Sequence, residues 1–149
     1  MRAVIQRVAQ AKVEVEGAVV GAIDQGLLVY LGVGKDDTET DAQFMADKLV
    51  NLRIFADDAH KMNRSVVDIG GSILLVSNFT LYGDCRKGRR PGFDAAGEPK
   101  LADALYEKVA ELIAQQGVRV EKGVFAAYMQ VTSTNDGPVT FLFDSGRLF

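Results

Sequence analysis

Apolar and polar positions alternate early in the chain, and their spacing then changes. In residues 12–16 (KVEVE) valines alternate with charged side chains, which is the period of a strand with one buried face. Gly17 interrupts this run before Val19-Val20 resume it, so a β-hairpin is predicted. Residues 26–33 (GLLVYLGV) are almost continuously apolar and bounded by glycine, as in a strand covered on both faces.

Helical spacing appears in two places. From Asp41 onward apolar residues recur every three or four positions, and Thr38 or Thr40 is the expected N-cap. The second helix begins at Glu98-Pro99 and ends at Gly117. The two apolar stripes consist of Ala42, Met45, Leu49 and Leu52, and of Leu101, Leu105, Val109 and Leu112.

Later segments complete the predicted fold. Further strands are predicted over 72–79, 128–134 and 139–143. Residues 135–138 (NDGP) join the last two as a hairpin turn, and residues 82–97 form a long loop without periodicity. The order of strands, helix, strands, helix and strands favours a single α/β or α+β domain, residues 1–149, with a mixed or antiparallel sheet.

Composition narrows the possible functions. With 17 Lys and Arg against 20 Asp and Glu, the net charge of −3 argues against a protein that coats nucleic acid or an anionic membrane over its whole surface. Cys85 is the only cysteine and no apolar run is long enough for a bilayer, so a cytoplasmic location without membrane contact is expected. No metal-site spacing is present, so neither a metal nor a cofactor is predicted. A Ser-His-Asp or Cys-His hydrolase would have to build its base from His60, the only histidine.

Three segments carry candidate chemistry. Residues 77–82 (SNFTLY) place two hydroxyls and an amide where a buried strand ends, although such residues also serve as ordinary strand-end and turn residues. Gly137-Pro138 can adopt a cis peptide at little cost and would then form a rigid backbone wall, the alternative being the simple hairpin turn. The basic loop contains Arg86, Lys87, Arg89 and Arg90, and either contacts phosphate or is a solvated charge run.

These motifs occur together with MRAVIQRV, GLLVYLGVGKDD and GVFAAYMQV, and in this order the whole chain closely resembles the D-aminoacyl-tRNA deacylase family. The family's middle motif reads S-Q-F-T, whereas position 78 is Asn here, which leaves the backbone N–H groups of residues 78–80 as expected donors. The resemblance implies a compact barrel-like β-sheet with flanking helices, assembled as a homodimer. It also implies hydrolysis of the ester that joins a D-amino acid to the 3′-terminal adenosine of tRNA, which is chiral proofreading during translation.

The resemblance also implies roles for particular residues. Gly137-Pro138 of one subunit, with a cis peptide, would enter a pocket of the other subunit and exclude L-aminoacyl groups, while glycyl-tRNA would be accepted. The catalytic positions would be Ser77, Asn78, Phe79 and Thr80. Either Thr80 acts as nucleophile or the 2′-hydroxyl of the tRNA acts beside backbone donors, and the absence of a suitable histidine favours the second. Met129 would line the pocket and Arg7 would hold the Gly-Pro loop, whereas from the sequence pattern Arg7 is only a lone cation on an exposed face or in an interface.

Two other functions fit the same residues. The chain could be an RNA-binding module without catalytic activity, in which the basic loop contacts phosphate and the two motifs are turns. It could also be a threonine-dependent hydrolase of small esters or amides that relies on Thr80. Deacylation assays with both enantiomers and a Thr80→Val variant separate these functions.

Overall fold

The computed structural model describes residues 1–149, and its regular elements follow the predicted order. They are β1 (Arg2–Val15), β2 (Ala18–Ile23), β3 (Gly26–Gly32), α1 (Glu39–Asn51), β4 (Phe55–Ala56), β5 (Met62–Arg64), β6 (Ser72–Ser77), a 3₁₀ helix (Phe79–Tyr82), α2 (Pro99–Gln115), β7 (Arg119–Lys122) and β8 (Gln130–Asp144). The first hairpin, the apolar third strand and both helices are confirmed. The prediction lacks β4, β5 and β7, because strands of two to four residues are too short to show a period.

Six of the strands form one mixed sheet. Strand β1 is antiparallel to β2, β3 and β8, whereas β3 and β6, and β6 and β7, pair in parallel. The outer strands β2 and β7 then approach each other, since a Cβ atom added at Gly21 would lie 2.5 Å from the carbonyl oxygen of Lys122. The sheet therefore curves into a nearly closed barrel, and the predicted barrel-like sheet with flanking helices is confirmed.

Alternation along β6 separates two apolar clusters. Ile73 and Leu75 pack with residues of α1 and α2 in a cluster of 24 buried residues. Leu74 and Val76 point to the opposite face and join a cluster of 7 residues from β1, β2, β3 and β6. Because both faces are covered, β6 is held in place up to its last residue, Ser77, where the sheet gives way to the 3₁₀ helix.

Local signals account for the ends of the helices. Thr38 and Asp41 form a capping box at the start of α1, which places the other predicted cap, Thr40, inside the helix. Pro99 occupies the first turn of α2, where its missing N–H costs nothing. Gly117 lies just beyond the other end with a φ of +85°, as a terminating glycine does.

Strand β8 is continuous where the sequence predicts two strands and a hairpin. Both halves pair with β1, but the pairing passes from Asn135, opposite Val8, to Thr140, opposite Gln6. Residues 136–139 therefore leave the ladder as a bulge, and the hairpin prediction is wrong. Asn, Asp and Gly suit a bulge as well as a turn, so only the pairing of both halves with one partner distinguishes the two structures.

Neither α-helix is long and apolar enough to cross a membrane.

Candidate active site

The segment after β6 is organised by the side chain of Asn78. Its Oδ1 accepts a hydrogen bond from the Thr80 backbone N–H at 3.2 Å and a second from the Thr80 hydroxyl. Asn78 thereby caps the 3₁₀ helix, a role suited to a short amide side chain. The capping contact holds the Thr80 hydroxyl against an amide carbonyl, which is not a base.

The backbone donors of this segment are fewer than the sequence predicts. The Asn78 N–H donates to the Leu31 carbonyl at 2.8 Å, which extends the β3–β6 ladder by one bond. The Thr80 N–H is used by the cap. The expectation that residues 78–80 all present free donors is therefore wrong, and the Phe79 N–H is the donor that neither contact uses.

A cavity of about 650 Å³ opens beside this segment. Ser77, Asn78 and Phe79 form part of its wall, and Met129 lies on another part, as the resemblance implies for a pocket. The remaining wall is mostly apolar and aromatic, with contributions from Tyr30 and Phe125 among others. Thr80 is exposed and is not among the lining residues.

No side chain that lines the cavity is Asp, Glu, His, Lys, Arg or Cys. Burial raises the pKa of Tyr30, and burial together with nearby Glu107 and Asp103 raises the pKa of Tyr106, so both phenols stay neutral near pH 7. Tyr106 donates from its hydroxyl to the Leu75 carbonyl at 2.7 Å. The cavity can thus bind an apolar or aromatic group and offer hydrogen bonds, but it has no general base of its own.

Several of the lining residues escape the sequence prediction. Tyr30 lies within an otherwise aliphatic strand, and its hydroxyl is the only polar group there that could indicate a pocket. Phe125 lies in the GVFAAYMQV segment, where no pattern distinguishes it from its neighbours. Tyr106 belongs to α2 but falls outside the predicted stripe. No spacing rule connects these residues, because they come together only when β3, α2 and the segment before β8 pack around the end of β6.

The bulge containing Gly137-Pro138 lies elsewhere on the same chain. The peptide between the two residues is cis, and both residues are exposed. Arg7 donates from Nε to the Asp136 carbonyl at 3.1 Å and from Nη1 to the Ile54 carbonyl at 2.7 Å. None of the bulge residues lines the cavity, so within one chain the structure does not bring the two motifs together.

The basic loop contains one paired cation and three that form no salt bridge. Arg86 binds both carboxylate oxygens of Asp84, at 2.9 and 2.6 Å, which lowers the pKa of that carboxyl well below its usual range. Lys87, Arg89 and Arg90 are exposed, and none of them pairs with a carboxylate. The charge run predicted from the sequence therefore leaves three cations available to an anion.

Comparison with known proteins shows the fold and then the family. A solved structure titled as a probable eukaryotic D-amino acid tRNA deacylase shares the fold, with a TM-score of 0.82 and 20% identity over 95% of this chain and 97% of that one. Residues 4–144 match the family model described as D-Tyr-tRNA(Tyr) deacylase, and the chain belongs to this family. The predicted family is confirmed, and membership makes the chain an enzyme, a hydrolase that acts on ester bonds.

Relatives align over their full length. D-aminoacyl-tRNA deacylases of Thermotoga petrophila and Fervidobacterium nodosum are 58% and 57% identical to it, and in both the alignment covers 100% of each chain. A solved structure titled c-Myc DNA Unwinding Element Binding Protein is 39% identical, with a TM-score of 0.90 over 97% of this chain and 98% of that one.

Proposed function

We propose that this deacylase hydrolyses the ester of D-aminoacyl-tRNA by means of the Phe79 backbone N–H and the substrate's own 2′-hydroxyl. The observation that carries the proposal is the cavity beside residues 77–79, which contains hydrogen-bonding groups but no ionisable base. An aminoacyl ester is already activated, so stabilising the oxyanion contributes a large share of the required rate. The names of the relatives supply the substrate class.

The reaction proceeds by attack of water on the ester carbonyl. The carbonyl oxygen becomes an oxyanion, which accepts a hydrogen bond from the Phe79 N–H, and the hydroxyl of Ser77 supplies a further polar contact at the wall. The bond to the ribose 3′-oxygen then breaks, and the proton from water passes by way of the 2′-hydroxyl to that oxygen. The products are the free D-amino acid and tRNA, and Asn78 and Thr80 maintain the backbone that holds the Phe79 donor.

The active site is shared between two subunits of a homodimer in this proposal. The exposed bulge lies outside the cavity of its own chain, and the cavity is bordered by aromatic side chains that are open to solvent, Phe79 at 57% and Tyr128 at 85% exposure. A second copy that inserts its Gly137-Pro138 would cover these rings and complete the pocket. Twofold symmetry then gives two equivalent sites.

Chirality is read by the main chain of the inserted bulge. Arg7 and the Asn135 side chain, whose Oδ1 accepts the Val139 N–H at 2.8 Å, hold the bulge from both ends. Because these contacts hold the bulge backbone in one position, it collides with the side chain of an L-aminoacyl group, whereas a D side chain points away from it. Glycyl-tRNA has no side chain to reject and is therefore a substrate.

The basic loop contacts the tRNA in this proposal. Lys87, Arg89 and Arg90 contact the tRNA backbone, and Arg86 maintains the conformation of the loop through its contact with Asp84.

The direct test compares D-Tyr-tRNA with L-Tyr-tRNA. We expect kcat/KM to be about a thousandfold higher for the D-ester, which corresponds to about 4 kcal/mol of discrimination. Release of labelled amino acid under single-turnover conditions measures both rates, with glycyl-tRNA as a third substrate. Equal rates for the two enantiomers would refute chiral discrimination.

Thr80→Val separates a nucleophilic threonine from a structural one. Because the Thr80 hydroxyl contacts only an amide carbonyl, its loss should remove one hydrogen bond and lower kcat/KM by about fivefold. A true nucleophile would instead cost about 10⁴-fold or more. The same deacylation assay measures the effect, and Thr80→Ser, which keeps the hydroxyl, serves as the control. A loss of the larger size that Thr80→Ser restores would favour the threonine-dependent hydrolase.

Binding of a further nucleic acid, in addition to hydrolysis, is the second candidate function. It is favoured by the three unpaired cations of the basic loop and by the solved relative named for binding a DNA unwinding element. Binding of single-stranded DNA that is lost when Lys87, Arg89 and Arg90 are replaced by Gln would support this second function, and absence of DNA binding would refute it.

A further inference from the structure

A cleft lies between α1 and the C-terminal residues, and it shares no lining residue with the catalytic cavity. Two adjoining hollows of about 280 and 530 Å³ share Phe44, Lys48 and Phe143 and together form this cleft, here named the α1–β8 cleft. Arg147 lines one hollow and Arg53 lines the other. None of these residues lines the catalytic cavity.

Cations outnumber unpaired carboxylates in the α1–β8 cleft. Lys48, Arg53 and Arg147 are exposed, and none of them forms a salt bridge. Of the two aspartates that line the cleft, Asp144 is neutralised by Arg2 at 3.1 Å. Asp47 accepts hydrogen bonds from two glutamines and is the one acidic side chain in the cleft without a cation.

Aromatic rings are interleaved with these cations. The Lys48 ammonium lies 5.6 Å from the centre of the Phe44 ring, and Phe143 lines both hollows. Cations beside aromatic rings are the combination by which proteins bind single-stranded nucleic acid, since phosphates pair with the charges and bases stack on the rings. An acidic peptide would use the charges but not the rings, so the cleft fits single-stranded RNA better.

One side chain links the cleft to the Gly137-Pro138 bulge. The linking side chain is Arg7. Its guanidinium donates to the carbonyl of Ile54, the residue after Arg53, and also to the Asp136 carbonyl at the start of the bulge. In the proposed dimer each bulge enters the partner's cavity. The cleft of one subunit therefore borders the active site of its partner.

We propose that the α1–β8 cleft binds the unpaired nucleotides that precede the terminal adenosine of a tRNA held in the partner's cavity. This inference rests on the proposed function for the position of the adenosine. The strand leaves the cavity beside the inserted bulge, and its phosphates then meet Arg53, Lys48 and Arg147 in turn. The cleft contributes to binding of the RNA and not to the chemical step.

The test is a triple variant, Lys48→Gln, Arg53→Gln and Arg147→Gln, assayed with D-Tyr-tRNA and with D-Tyr-adenosine, which lacks the preceding nucleotides. KM for the tRNA should rise about tenfold with kcat unchanged, and the slope of log KM against log salt should fall by about 2 for three single-strand phosphate contacts. Kinetics on D-Tyr-adenosine should not change. The matched control removes three cations that already pair with carboxylates, by Lys108→Gln, Arg119→Gln and Lys122→Gln.

Mixed dimers identify which subunit supplies the cleft. Gly137→Ala in one chain should lower kcat/KM at the partner's site about a hundredfold. One fully active site then remains, made of the cavity of the substituted chain and the bulge of the other chain. KM should rise only when the triple substitution is in the chain that carries the intact bulge. The proposal would be overturned if the triple variant had the same KM for tRNA as the control triple. It would also be overturned if KM rose when the triple substitution is in the chain that carries Gly137→Ala.

Binding of uncharged tRNA keeps the cleft testable apart from catalysis. If the native protein released D-Tyr from neither substrate, the proposed function would fail. The Kd for uncharged tRNA, measured by fluorescence anisotropy, would then test whether the α1–β8 cleft binds RNA. A Kd raised about tenfold in the triple variant would support RNA binding by the cleft. A Kd equal to that of the control triple would overturn it.

Discussion

Gly137→Ala is expected to lower kcat/KM for D-aminoacyl-tRNA by about a hundredfold, or to reduce the ratio of D to L rates, because displacements of about 1 Å in a site cost this much. Gly137 has a φ of +135°, which side chains rarely adopt. Its added Cβ would lie 2.7 Å from Val139 Cγ2 and 3.2 Å from Arg7 Nη2. The added Cβ would also lie 3.0 Å from the Val139 backbone N, so the backbone between Gly137 and Val139 would have to shift and would no longer meet the substrate in one position.

The controls separate this effect from general loss of folding. Gly17→Ala also places alanine at a positive φ, +80°, but nothing lies within 4 Å of the added atom, so it carries the conformational cost without the collision. We expect Gly17→Ala to keep full activity and chiral preference. Size-exclusion chromatography should show the same oligomer for both variants. Unchanged activity and an unchanged D to L ratio in Gly137→Ala would contradict the proposed role of the bulge.

Gly26→Ala is expected to destabilise the fold by about 3 kcal/mol or more, a large part of the about 5–15 kcal/mol that stabilises a typical protein. Gly26 opens β3 opposite Ser72, and an added Cβ would lie 1.9 Å from the Ser72 carbonyl oxygen. The neighbouring atoms belong to the backbone of β6, so no side chain can turn aside. Relief requires the two parallel strands to separate where their pairing begins.

Urea unfolding of Gly26→Ala measures the change in the free energy of unfolding. We expect a lower midpoint or no folded protein, with activity lost in proportion to folded fraction, since β6 positions residues 77–79. Gly92→Ala is the matched control, because it lies in the loop with no atom within 4 Å of the added Cβ and no positive φ. A destabilisation below about 1 kcal/mol, an ordinary value for a single substitution, would show that β3 and β6 are less closely paired at this point.

Part of the candidate site follows from the sequence pattern. Residues 77–82 stand out because polar groups appear where a buried strand ends, and a strand end is a local property. The function of Asn78 does not follow in the same way. Its amide can face the pocket or cap the next turn, and the choice depends on where Thr80 lies once the 3₁₀ helix has formed. The basic loop is similar, since charge alone does not show that Arg86 is paired and that Lys87 is not.

Spacing along the chain predicts the end of β1, β2, β3, both α-helices and β6, because burial of one face acts through neighbouring residues. The bulge in β8 depends on distant pairing instead. Residues 135–138 suit a hairpin or a bulge, and the sheet selects the bulge by pairing both halves of β8 with β1. The cavity, the link from Arg7 to Ile54 and Asp136, and the α1–β8 cleft all join segments far apart in the chain, so they exist only after these segments have packed together.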